Sequence, residues 1–158
     1  MKKVFLFASA VVLSAGLFAQ QPAQTPTTTQ APQKKAEDFI KFKELTYNFG
    51  KIKQNVPVTH NFEFTNTSDA PVIIESATPS CGCTTPVKPD AAILKGKTDK
   101  ITAGFNAVNL GAFNKSITIK VAGVALPVQI HITGEVLTPE AYAKYEAEKG
   151  QTTPTKSR

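Results

Sequence analysis

Between residues 39 and 137 apolar side chains recur at every second position, in short runs cut apart by turn residues, and that period decides what the chain can fold into. A period of two puts alternate side chains on opposite faces of an extended strand. Val58, His60, Phe62 and Phe64 alternate with Thr59, Asn61, Glu63 and Thr65. Phe42, then Tyr47 and Phe49, read as a first strand with a break in it. Further strands are expected over 72–77, at Ile101, Ala103 and Phe105, at Ile117, Ile119 and Val121, and at Leu126, Val128, Ile130 and Ile132. Asn66-Thr67-Ser68-Asp69-Ala70-Pro71, Leu94-Lys95-Gly96, Asn109-Leu110-Gly111 and Ala122-Gly123 supply the turns. No helical period intervenes. The expectation is an all-β, antiparallel sandwich of about seven strands. The chain has no tryptophan and no widely spaced cysteine pair, so packing alone must hold the two sheets together.

The flanks read differently. Residues 1–19 have the order of a secretory signal: Lys2 and Lys3, an apolar run over 4–13, then Gly16-Leu17-Phe18-Ala19 before Gln20. The apolar run is shorter than the ~20 residues a membrane span needs. Export to the periplasm or the extracellular space is expected. Residues 20–38 are rich in Gln, Pro, Thr and Ala and read as a disordered tether, a passive spacer. Thr138-Pro139-Glu140 is a helix start, with Thr138 as cap and Gly150 as a possible stop. Residues 138–158 are therefore read as a short C-terminal helix and a disordered tail.

The formal charge is +6, and the lysines are scattered, with Arg158 the sole arginine. Nucleic-acid binders gather basic charge on one face. No such cluster occurs, so a solvated surface is the reading. No nucleophile elbow, His-Glu metalloprotease pair or phosphate-binding glycine loop is present, and the carboxylates suggest no acid–base pair. The chain does not read as an enzyme.

One segment is chemically distinctive. Cys81-Gly82-Cys83 holds the only two cysteines, bracketed by Pro79 and Pro86. In an extended strand, Cα atoms two residues apart lie about 6.5–7 Å from each other. That is at the upper edge of disulfide geometry, so a bridge requires the chain to bend at Gly82. Such a bridge closes a tiny loop and adds little through chain entropy. Three states stay open for the pair: loop-shaping thiols or a local disulfide, a soft-metal site, and redox exchange. As metal ligands, Cys81 and Cys83 would favour Cu(I) or Zn(II). A closed zinc site wants four ligands, and neither His60 nor His131 obviously reaches the pair. Two-coordinate Cu(I) is the less demanding cofactor.

These landmarks resemble an exported bacterial family known as domain of unknown function 1573, common in relatives of Bacteroides. The likeness is carried by Tyr47-Asn48-Phe49-Gly50-Lys51-Ile52, His60-Asn61-Phe62-Glu63-Phe64-Thr65-Asn66-Thr67, Pro79-Ser80-Cys81-Gly82-Cys83-Thr84, Gly111-Ala112-Phe113-Asn114-Lys115-Ser116-Ile117-Thr118 and Ile132-Thr133-Gly134-Glu135-Val136. It implies an immunoglobulin-like sandwich similar to the major sperm protein type, and no particular activity. The expected function is a non-catalytic, exported module that takes part in envelope interaction or assembly with a protein partner. The alternative is a periplasmic Cys-Gly-Cys copper-binding or thiol-redox protein.

Overall fold

The alternation over 58–64 builds the centre of one sheet, and its partners follow from the same period. In the computed structural model, residues 33–151 are described. The expected signal (1–19), most of the expected tether and the last seven residues lie outside them. Eight strands are present among the described residues: β1 (Ile40–Phe42), β2 (Thr46–Lys53), β3 (Val58–Asn66), β4 (Ile74–Pro79), β5 (Thr84–Val87), β6 (Thr98–Phe105), β7 (Gly111–Val121) and β8 (Val128–Leu137). They form two four-stranded sheets, ordered β1-β3-β6-β5 and β2-β8-β7-β4.

The architecture is the immunoglobulin-like β-sandwich expected from the sequence, with differences in detail. The first strand is two strands. Its break at 43–45 sends β1 to one sheet and β2 to the other. β2 runs parallel to β8, with Thr46 opposite His131 and Lys53 opposite Leu137, while every other pair is antiparallel. β5 is a strand that the short Thr84-Thr85-Pro86-Val87 run does not announce. It pairs with β6 only and so forms a sheet edge, where proline is tolerated. Leu126 falls outside β8 and is exposed, and it forms an isolated bridge with Lys35.

The core is the interdigitation of the two inner faces. β3 and β6 contribute Phe62, Phe64, Ile101 and Phe105; β7 and β8 contribute Phe113, Ile117, Ile119, Ile130 and Ile132, all buried. Phe105 stacks on Phe113 across the sheets, ring centroids 4.2 Å apart. Toward the opposite edge, Tyr47 of β2 stacks on His60 of β3 at 3.6 Å. Asn66 is the one wholly buried side-chain amide. Its Nδ2 donates to the carbonyls of Ala70 and Ile93, and its Oδ1 accepts from the backbone and hydroxyl of Ser68. Its burial is thereby fully compensated.

Two glycines explain each other. β2 shifts register between Asn48 and Lys51, and Gly50 there has a left-handed φ of 68°. A Cβ on the facing Gly134 would lie 2.8 Å from the Gly50 carbonyl and 2.8 Å from the Phe113 ring. The bulged strand approaches β8 only because Gly134 has no side chain.

The chain is ordered earlier than the tether boundary at 38 implied. The Ala36 N–H donates to the Leu126 carbonyl at 2.8 Å, and a 3-10 turn over Ala36–Asp38 buries Ala36 completely. At the other end, α1 spans Pro139–Gln151. Thr138 Oγ1 accepts the Ala141 N–H at 3.2 Å, an N-cap. The helix runs through Gly150, which does not stop it. Lys51 Nζ sits 5.0 Å from the Tyr145 ring, linking α1 to β2.

Phe62 has no exposed surface. Phe62→Ala should therefore lower unfolding free energy by about 3–5 kcal/mol in a urea titration. A loss under about 1 kcal/mol would mean that the two faces do not interlock at this ring.

Candidate functional site

The distinctive segment sits where the chain passes from one sheet to the other. β4 pairs with β7 up to Pro79 opposite Ile117. Past that point the Ser80 N–H donates to the Ser116 carbonyl at 2.8 Å, and the Ser116 N–H donates to Ser80 Oγ at 3.1 Å. The chain then turns, and β5 begins at Thr84 in the opposite sheet, opposite Phe105. Cys81 and Cys83 are bridged across this turn, with Cα atoms 5.3 Å apart. The bend brings them inside the usual disulfide range, and the Thr84 N–H closes it by donating to the Cys81 carbonyl at 3.3 Å.

Gly82 is at the bend and is exposed, yet it is absent from the left-handed backbone positions. A Cβ there would meet nothing within 4 Å. The bend falls at Gly82 as a bridge requires, and it does not use a left-handed backbone there.

The two sulfurs have different surroundings. Cys83 packs against the core and lines a cleft of about 70 Å³ with Phe105, Asn106, Asn109, Leu110, Phe113 and Lys115. Both cysteines are part-exposed, and Cys81 lines no part of that cleft. Thr84 is buried, and its hydroxyl has only the sulfurs as partners, Cys81 Sγ at 3.7 Å and Cys83 Sγ at 4.0 Å. A bridged sulfur carries no proton, so in this state the threonine is the donor.

Sequence reasoning assigned no role to Thr84 and counted Lys115 among scattered surface lysines. The missed signal for Lys115 was its phase. It lies two residues from both Phe113 and Ile117, so it occupies an inward position on β7 that alternation reserves for an apolar side chain.

Hydrogen bonds tie the whole end together. The Asn106 N–H donates to the Cys83 carbonyl at 3.1 Å. In the next loop, the Asn55 N–H donates to the Ala107 carbonyl at 2.9 Å, and Gln54 Nε2 donates to the Val108 carbonyl at 2.8 Å. Among the described residues, Asn55 and Ala107 are the two non-glycine residues with positive φ, 61° and 52°. Such backbone is uncommon for alanine and costs about 1–2 kcal/mol. This end also exposes Val56 (47%), Val108 (48%) and Leu110 (52%).

The other candidates do not converge on the cysteines. His60 Nε2 is paired with Glu44 Oε1 at 2.8 Å, and its ring lies on Tyr47. Among the described residues, no three His, Cys, Asp or Glu side chains gather as a metal site. The bridged pair offers no thiolate, so the Cu(I) reading of Cys81 and Cys83 applies to the reduced chain alone. Glu63 forms a surface pair with Lys43, whose hydrogen bond and charge hold its carboxyl below the usual range. A depression of about 430 Å³ is open and lies between Tyr145 of α1 and the bulge at Gly50, and neither cysteine lines it.

The family described as "Protein of unknown function (DUF1573)" matches residues 40–136, and the chain belongs to it. No curated protein sequence matches the chain. Among solved structures, a protein of unknown function from Porphyromonas gingivalis W83 is similar, with 14% identity and a TM-score of 0.53 over 61% of this chain and 46% of that one. The ASH/PapD-like domain 7 of human CEP192 is 11% identical, with a TM-score of 0.50, 82% of this chain and 99% of that domain being covered. The VesB protease of Vibrio cholerae is 13% identical, with a TM-score of 0.50 over 64% of this chain. The chain spans only 33% of VesB and under half of the P. gingivalis protein. These likenesses show the fold alone.

Since the bridge spans one residue, replacing both Cys81 and Cys83 with serine should leave a cooperatively folded protein. The expected loss in a urea titration is at most about 1–2 kcal/mol. An unfolded double variant would make the bridge a structural staple of the sandwich.

Proposed function

We propose that the chain is a non-catalytic, exported immunoglobulin-like module of the cell envelope, and that it holds a protein partner at the end carrying the disulfide turn. Export rests on the n-, h- and c-region order of residues 1–19. Among the described residues no helix is long and apolar enough to cross a membrane.

One observation carries the choice of surface. Val56, Val108 and Leu110 are large, apolar and about half exposed, on two loops joined by the Asn55–Ala107 and Gln54–Val108 hydrogen bonds. Around them stand Gln54, Asn55, Asn106 and Asn109, polar and uncharged. An apolar centre with a neutral polar rim and few charges is the anatomy of a protein interface. The left-handed backbone at Asn55 and Ala107 holds that surface in shape before any partner arrives, which lowers the ordering cost of binding. The partner that fits is a protein presenting an apolar segment.

Photocrosslinking in intact cells tests both parts. A photoreactive residue replacing Val108 or Leu110 should give one discrete adduct in the envelope fraction. The same residue replacing Lys120, on the outer face of β7, should give none. Adding Leu110→Lys to the probe at 108 should cut the adduct about tenfold or more, as loss of a central apolar contact does. Cytoplasmic full-length protein, or equal adducts from 108 and 120, would overturn the proposal.

A further inference from the structure

The cleft beside the disulfide turn shares Leu110, Asn106 and Asn109 with the apolar surface. Thr84, Lys115 and the two sulfurs add a chemistry there that docking does not use. We propose that Cys81–Cys83 is a thiol–disulfide exchange site for an external thiol reductant, with Cys81 the sulfur attacked and Cys83 the leaving thiolate.

The direction of attack follows from the difference between the sulfurs. Cys83 is backed by the core and by the cleft, whereas Cys81 is not. Cys81 is part-exposed, so a thiol can approach it from outside. On the inner side, Lys115 shares the cleft with Cys83. No carboxylate pairs with Lys115 among the described residues. A cationic side chain lining the same cleft as a sulfur favours its thiolate. The buried Thr84 hydroxyl lies 3.7 Å from Cys81 Sγ and 4.0 Å from Cys83 Sγ, so it can donate to either thiolate and does not set the direction. Exchange is faster when the leaving thiol is more acidic, so Lys115 favours departure of Cys83.

The steps balance. A reductant thiolate attacks Cys81 Sγ, an S–S bond forms between them, and the Cys81–Cys83 bond breaks. Cys83 leaves as a thiolate held by Lys115 and Thr84. A second reductant thiol loses its proton and attacks the reductant's sulfur in the mixed disulfide. That releases Cys81, which takes up a proton. The protein gains two electrons and the reductant becomes a disulfide. The fold can survive the cycle, because so short a bridge contributes little chain entropy.

The test uses the oxidised wild-type protein and glutathione. After partial reaction, acid quench and alkylation, peptide mapping should place glutathione on Cys81 and the alkyl label on Cys83. Lys115→Met should slow the reaction roughly threefold or more and weaken that bias, as a less acidic leaving thiol would. Lys120→Met should leave both unchanged. Glutathione found on Cys83 or shared equally would overturn the proposal. So would reaction only in denaturant, or identical rates for the Lys115 and Lys120 variants. The wild-type mapping stands by itself if Lys115→Met fails to fold, and neither readout measures partner binding.

Discussion

Everything in this molecule depends on the interlocking of two apolar sheet faces. Phe62, Phe64, Ile101 and Phe105 on one side meet Phe113, Ile117, Ile119, Ile130 and Ile132 on the other, and all are buried. Each side chain contributes on the order of 1.5–3 kcal/mol through burial. The bridge between Cys81 and Cys83 spans a single turn, so it cannot replace this packing. The cost is tight fit: where β2 bulges at Gly50, β8 must have glycine at 134, since the Phe113 ring and the Gly50 carbonyl already fill the space.

A packed scaffold frees its loops for other work. The β4–β5 crossover, the 106–110 loop and the 54–57 loop meet at one end and are joined by backbone hydrogen bonds. Apolar exposure and the disulfide's two unlike sulfurs occur at this same end. The cleft floor is the Phe105–Phe113 stack, so the inter-sheet core itself forms the wall behind Cys83. Lys115 stands on that wall, at a position that the core would otherwise claim.

Much of this was legible from the alternation. His60, Phe62 and Phe64 point inward on β3 as their phase requires, and the helix start at Thr138 is a true cap. The illegible parts have physical reasons. Phe42 and Tyr47 share the apolar period but join different sheets, because period gives a face and not a partner strand. β5 is too short and too proline-rich to announce itself, and its pairing with β6 is a long-range fact. The ordering of Ala36 depends on a bridge to Leu126, ninety residues along the chain. Thr84 and Lys115 were misread because a polar residue in an apolar phase looks like noise until its neighbours are known. The bend at 82 was legible, because only a bend brings the two Cα atoms to the observed 5.3 Å.

The central claim is that packing holds the sandwich while the disulfide governs one end alone. Hydrogen exchange of the oxidised and the reduced protein, compared segment by segment, tests it most directly. Faster exchange after reduction should be confined to 80–87 and 106–110, with β3, β7 and β8 unchanged up to Ser116, where the turn is anchored. Faster exchange throughout both sheets would contradict the account, because the bridge would then be holding the core.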